Sequence, residues 1–142
     1  MYILDTNVVS ELRKAPAGRA DQYVLHWAAN VTTDETFLSA ITVLELEQGI
    51  LRIERRDKAQ GEALRQWLDQ RIIPGFAGRV LPIDTQVALR CARLHVPDPH
   101  SERDALIAAT ALVHGMVVVT RNVMDFVGTG VAVLDPWRPA TG

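Results

Sequence analysis

A single cysteine, Cys91, excludes an internal disulfide and agrees with a reducing compartment. It falls in a helical pattern with Val87, Ala88 and Leu94 and reads as a small core residue. Long hydrophobic runs are missing too. The longest apolar stretches are too short to span a bilayer, and Met1 leads into a short strand with Asp5 behind it, not into the basic and apolar regions of a signal peptide. A cytoplasmic protein with no membrane attachment is the expectation. No sign of charge dominates: the net charge of −2 argues against gripping nucleic acid by overall charge. There is no GxSxG, Walker A loop or dinucleotide fingerprint, which leaves a hydrolase built on a nucleophilic side chain with little support. His26, His95, His100 and His114 lack zinc-ligand spacing with a cysteine. Repeats, low-complexity tracts and linkers are absent as well. The 142 residues therefore read as one domain, 1–142, long enough to bury a core.

What is present is acid in unusual places. Asp5 in YILDTN, Glu45 in TVLELEQG, Asp104 in ERDALIAATA and Asp125 in TRNVMDF each sit where an apolar strand or helix begins or runs. Four such acids from separated segments suggest one convergent site, and such a cluster needs a cation. A site of oxygen donors without Cys or His suits Mg²⁺, with Mn²⁺ as the other candidate. Magnesium held by acids is suited to phosphodiester chemistry. Basic residues gather elsewhere. Arg13, Lys14 and Arg19 have no acid between them, and seven basic residues face four acids from Arg52 to Arg79. Such a surface could hold phosphates while the acids hold metal.

Short apolar strands alternate with helices along the chain. Tyr2–Leu4 reads as a buried strand, and Asp5-Thr6-Asn7 supplies cap chemistry for a helix closing near Pro16-Ala17-Gly18. Further helices are predicted over Asp21–Asn30, from Ile41 through Leu51, over Asp57–Ile73 (stopped by Pro74-Gly75), after Asp84, and over Asp104–His114 behind a Ser101-x-x-Asp104 start. Strands are predicted at Phe37–Ser39, Arg79–Ile83, Val117–Thr120 and Val131–Leu134. This alternation predicts an α/β sandwich with a mainly parallel sheet. Ligands of such sheets gather beyond the carboxyl ends of the strands, where Asp5, Asn122 and Asp125 fall.

Taken singly, each acid has a plainer explanation. Asp5 would serve as a helix cap, but Thr6 or Asn7 would cap equally well, so an acid is not required. Glu45 and Glu47 point in nearly opposite directions on one helix, so only one can face the site. Glu45 shares its face with Ile41, Thr42 and Gly49, and a helical glycine, costing about 1 kcal/mol against alanine, makes sense if something packs closely there. Glu47 then reads as a solvated charge. Asp104 at a helix start is favoured by the dipole, while the small residues that follow allow the helix close to the sheet. Asp5 and Asp104 are the expected direct metal ligands. Thr120 and Asn122 would orient water or the neighbouring carboxylates, with Asp125 beside them.

Four segments together, MYILDTNVVSEL, SAITVLELEQGI, DALIAATALVHG and VVVTRNVMDFVGTGVAVLDPW, resemble a PIN domain. They are closer still to the VapC-type and FitB-like toxins of bacterial toxin–antitoxin pairs. The resemblance spans essentially the whole chain, and the loop PDPHSER before Asp104 departs from it. It implies a three-layer α/β/α sandwich with a central parallel sheet. It places the family acids on Asp5, Glu45, Asp104 and Asp125, with Thr6, Thr120 and Asn122 beside them.

The function this implies is a Mg²⁺-dependent endoribonuclease, the toxin of a type II pair, cleaving RNA with metal-activated water and leaving a 5′-phosphate and a 3′-hydroxyl. Asp5 and Asp104 would bind metal directly, and Glu45 and Asp125 would hold a second ion or position the water. The implied partners are the RNA substrate and an antitoxin with a DNA-binding domain, whose inhibitory segment would cross the early helices at Val9 and Leu12. A homodimer and a higher assembly with antitoxin are also expected. The large apolar residues Val24, Trp27, Leu64, Trp67 and Leu68 motivate the dimer, being more than one sheet face needs. Two other readings compete: a PIN-fold interaction module acting mainly with the DNA-binding antitoxin in operon repression, and a PIN nuclease of RNA processing or DNA repair without an antitoxin.

Overall fold

Strand β1 (Tyr2–Leu4) ends at Asp5, whose side chain accepts from the Thr6 amide at 2.8 Å and starts helix α1 (Thr6–Leu12). The computed structural model describes residues 1–139. From α1 the chain runs through α2 (Gln22–Ala29), β2 (Thr36–Ser39), α3 (Ala40–Glu54), α4 (Lys58–Trp67), α5 (Ile73–Gly75) and β3 (Val80–Leu81). It continues through α6 (Thr85–Leu94), α7 (Glu102–His114), β4 (Val117–Val119) and β5 (Val133–Leu134). Aspartates begin several helices: Asp21, Asp57 and Asp84 accept from amides of α2, α4 and α6.

All strands pair in parallel, in the order β3-β2-β1-β4-β5. Ile3 lies beside Phe37 on one side and Val118 on the other, and Leu4 beside Val119. The chain winds one way from β1 to β2 and β3, and the other way to β4 and β5. Where that direction reverses, a crevice opens at the carboxyl ends of β1 and β4.

Alternation along the strands builds two cores. Leu4, Leu38 and Val119 face one side with Val8 and Val9 of α1, Leu46 and Ile50 of α3, Leu64 and Leu68. Ile3 and Val118 face the other with Ile107, Ala108 and Ala111 of α7. The three-layer sandwich expected from the sequence is the one observed. Small residues let α7 pack tightly: Ala105 and Ala109 meet Val87 and Cys91 of α6, while Ala108 and Ala111 meet the sheet side. Cys91 is buried, as read.

Several local expectations need correction. The helix predicted over Asp57–Ile73 is interrupted by a π turn at Leu68–Ile72, which lets Pro74 fall in the first turn of α5, where its missing N–H is tolerated. The helix expected to open at Asp104 begins at Glu102, so Asp104 lies inside its first turn and Ser101 provides no capping bond. The strand expected over Arg79–Ile83 shortens to two residues, with the Arg79 guanidinium bonded to backbone carbonyls of Thr33, Thr36 and Gly75.

The apolar residues invoked for a dimer do other work. Val24, Leu64 and Leu68 are buried in the chain's own core, and Trp27 and Trp67 pack against it. The exposed large apolar residues include Leu44 and Leu51 on α3 and Leu89 on α6. Gly49 is not at a close approach either: a Cβ added there meets nothing within 4 Å. Close approach occurs instead at Gly61, where an added Cβ would lie 2.5 Å from Glu54 Cγ. Among the described residues no helix is long and apolar enough to cross a membrane.

Candidate active site

Asp5 follows β1 and Thr120 follows β4, so the parallel pairing of those strands brings them together at the crevice. The Thr120 hydroxyl donates to Asp5 Oδ2 at 2.8 Å, and Asn7 Nδ2 donates to the same oxygen at 3.2 Å. Thr120 Oγ1 also accepts from Asn7 Nδ2 at 3.3 Å and from the Asn122 amide at 3.0 Å. Asn7 Oδ1 accepts from the Arg121 amide at 3.1 Å, so one asparagine stitches the start of α1 to the loop after β4.

Glu45 approaches from the second turn of α3. Its Oε1 accepts from Thr6 Oγ1 at 2.8 Å, and its Oε2 lies 3.8 Å from Arg103 Nη1. Arg103 also donates to Gln48 Oε1 at 2.9 Å, tying the start of α7 to α3. Glu47 points away, as expected of a residue two positions on. It is not simply solvated, however: Arg65 of α4 pairs with it at 2.6 Å and with Glu54 at 3.0 Å.

The electrostatics tie the four acids together. Burial pushes the Asp5 carboxyl above its usual range; the Thr120, Thr6 and Asn7 hydrogen bonds oppose this, and the charge of Asp125 adds to it. The Asp104 carboxyl is also raised, first by burial, then by Asp125 and Asp5, and least by Glu45, against the pull of the Ser101 hydroxyl. Asp104 thus feels the charges of Asp125, Asp5 and Glu45, and Asp5 feels that of Asp125. Asp125 is exposed on the short turn Val123–Phe126, where its amide donates to the Asn122 carbonyl at 3.0 Å, and the Asn122 amide in turn donates to Thr120 Oγ1.

Among the described residues no three His, Cys, Asp or Glu side chains close into a group that could hold a metal ion. The donor chemistry nevertheless fits magnesium, which is commonly held through one or two carboxylates and keeps several waters. Asp5 and Asp104 supply two such carboxylates, and both have raised pKa values that a cation would relieve. Sequence reasoning missed two residues here. Asn7 was legible only as a redundant cap in Asp5-Thr6-Asn7, and Arg103 only as a base beside Asp104 in the loop that departs from the family pattern.

A parallel sheet with acids converging at its switch point defines a class of carboxylate-centred α/β proteins. The PIN domain family profile matches residues 2–126, and the chain belongs to that family. It is 38% identical to the VapC ribonuclease Y4jK of Sinorhizobium fredii, over 99% of this chain and 100% of that protein. It is 39% identical to the toxin FitB of Neisseria gonorrhoeae, over 97% of this chain and 99% of that protein. The solved structure of FitAB bound to the IR36 DNA fragment superposes with a TM-score of 0.87 at 34% identity, covering 99% of this chain and 98% of that one.

Proposed function

We propose that this chain is a Mg²⁺-dependent endoribonuclease and the toxin of a type II toxin–antitoxin pair. The observation that carries this reading is the buried Asp5 carboxylate held by Thr120 and Asn7 at the ends of β1 and β4, with the Asp104 carboxyl beside it raised by burial and by the charges of Asp125 and Asp5. Asp5 and Asp104 would hold the ion (Mn²⁺ being the substitute), which when bound would acidify a water and offset charge on the scissile phosphate. Thr120 and Asn7 fix the Asp5 rotamer by donating to Oδ2. Thr6 fixes Glu45 in the same way. Glu45 and the exposed Asp125 are then placed to orient the attacking water. The name of the VapC relative supports RNA as substrate.

A protein partner is part of the proposal. Cavities of about 280 and 400 Å³ run beside α1, the first lined by Thr6, Glu45 and Gly49 and the second by Leu12 and Arg13, with Leu64 and Trp67 lining both. An antitoxin segment lying there would reach the acids from the apolar side, and an arginine on it would form charge-assisted bonds to the carboxylates. Leu12 suits this role better than Val9, which is only 3% exposed. The FitAB–DNA structure supports a DNA-binding partner. Pairing of two copies would use exposed apolar residues such as Leu44 and Leu51. A monomer by light scattering at tens of micromolar (about that order, well above typical specific dissociation constants) would remove the dimer.

The deciding experiment is cleavage of cellular RNA by purified chain with Mg²⁺, with EDTA, and by Asp5→Asn and Asp104→Asn variants. Cleavage confined to the wild type with metal, leaving 5′-phosphate ends, is expected. Equal cleavage by the variants would sink the assignment. No cleavage under any condition would favour an interaction module acting with the antitoxin on DNA.

A further inference from the structure

A second cavity system leaves the acid site on the side away from α3 and α4. A space of about 700 Å³ lies between the loops after β4 and β5, lined by Asn122 and Asp125 of the acid site and by Arg121, Asp135 and Arg138. Asp135 and Arg138 also line a neighbouring cavity of about 430 Å³. Its far wall is α2 with the residue that caps it, presenting Tyr23, His26, Trp27 and the cap Asn30. Those positions recur at i, i+3, i+4 and i+7, so they share one helix face.

The chemistry of this pocket is specific. Trp27 is held edge-on by Tyr2, ring centroids 5.4 Å apart at 88°, while Tyr23 is 42% exposed. The Asn30 amide donates to the His26 carbonyl at 2.7 Å and lies 3.5 Å from its ring nitrogen, putting polar groups on the same wall. Between pocket and acids stand two guanidinium groups. Arg121 lies over Trp137 at 5.2 Å, and Arg138 pairs with Asp135 at 3.4 Å while its side chain is 84% exposed. An ion pair that open to water contributes little, so Arg138 can turn to a phosphate at small cost.

We infer that the pocket of Tyr23, His26, Trp27 and Asn30 is a base-binding subsite for single-stranded RNA whose backbone passes Arg138 and Arg121 on its way to the acids. This deepens the ribonuclease reading and rests on it. The occupant follows from continuity and chemistry: a cavity that shares walls with the acid site, carries guanidinium groups between, and ends in aromatic faces with amide and imidazole edges. Bases stacking on aromatic rings while basic residues follow the backbone is how single strands are commonly held.

The test uses the full chain carrying Asp104→Asn, so that RNA survives the measurement. Affinity is read for oligoadenylates of about two and about eight nucleotides, on either side of the ~4 nucleotides that small single-strand sites cover. The longer strand should bind more tightly, and Tyr23→Ala or Asn30→Ala should remove that gain, with Tyr23→Ala weakening the long strand about tenfold. Tyr23 is exposed, and unchanged thermal melting would show that the fold is intact. Long-strand affinity within about twofold of the parent in both variants would overturn the subsite, as would equal affinity for the two lengths in the parent. A protein segment as the true occupant would give the first of those results. Cleavage by the wild type is scored separately, so the subsite can fail while the nuclease stands, and length-dependent binding without cleavage would fail the nuclease alone.

Discussion

Thr120 and Asp5 stand 115 residues apart in sequence, yet the threonine hydroxyl donates to the aspartate Oδ2 at 2.8 Å. The same hydroxyl accepts from Asn7 and from the Asn122 amide, so one oxygen joins β1, α1 and the loop after β4. Thr120→Val should cost about 1–3 kcal/mol in urea unfolding, because it takes a hydroxyl donor from the buried Asp5 carboxylate. It should also push the Asp5 carboxyl higher still, since the largest of the lowering influences on that group disappears. Thr120→Ser should restore most of both. Equal stability of the valine and serine variants would contradict this role.

The raised Asp104 carboxyl sets a sign for pH dependence. Its folded pKa lies above the ordinary 3.8, so the folded state holds that proton more tightly than the unfolded chain. The stabilisation is full below that ordinary value and is lost as pH rises through the higher folded one. Asp104→Asn should therefore gain stability over wild type as pH rises across this window. Asp5→Asn should gain less, because it replaces an oxygen on which Thr120 and Asn7 both donate. Urea midpoints measured from acid to neutral pH check this, and parallel curves for wild type and Asp104→Asn would refute it.

Magnesium should reverse the penalty. At about a hundredfold excess over its dissociation constant it should stabilise the wild type by about 2.7 kcal/mol. Thermal melting should show the shift in wild type and its loss in Asp5→Asn and Asp104→Asn. Chelation should stop cleavage, and Ca²⁺ should bind but restore little turnover because of its looser coordination. A shift that survives in both variants would place the ion elsewhere.

Glu45 and Glu47 provide a matched pair. Glu45→Gln should abolish most RNA cleavage, because its carboxylate is held by Thr6, the residue next to Asp5, and acts on Asp104. Glu47→Gln should leave cleavage near wild type and cost about 0.2–1 kcal/mol, the usual range for a surface ion pair such as that with Arg65. Initial cleavage rates and urea unfolding decide it; the reverse pattern would exchange the two assignments.

The helical glycines should behave oppositely. Gly61→Ala should destabilise by about 1–3 kcal/mol, because the new methyl meets Glu54 Cα at 2.8 Å, which is backbone. Gly49→Ala has open space and should stabilise by about 1 kcal/mol. Gly49 lines the cavity beside Glu45, so the same methyl should weaken a partner segment seated there. Differential scanning calorimetry gives the first two signs, and titration with the cognate partner gives the third.

The sequence by itself determined the elements and the acids. An apolar triplet followed by Asp5 and the aspartates ahead of α2, α4 and α6 are signals read within a few residues, because strand burial and capping are local physics. Burial cost made Asp5 and Asp104 conspicuous in the same way. Tertiary structure decided what depends on how elements meet. Only packing of α4 on α3 gave Glu47 a partner in Arg65 and made Gly61, not Gly49, the point of close approach. The core took Val24, Leu64 and Leu68 from the surface where a dimer was expected to use them. Pairing of β1 with β4 put Asn7 within reach of Thr120 across 113 residues, a contact no spacing rule encodes because it exists only once two distant strands share a register.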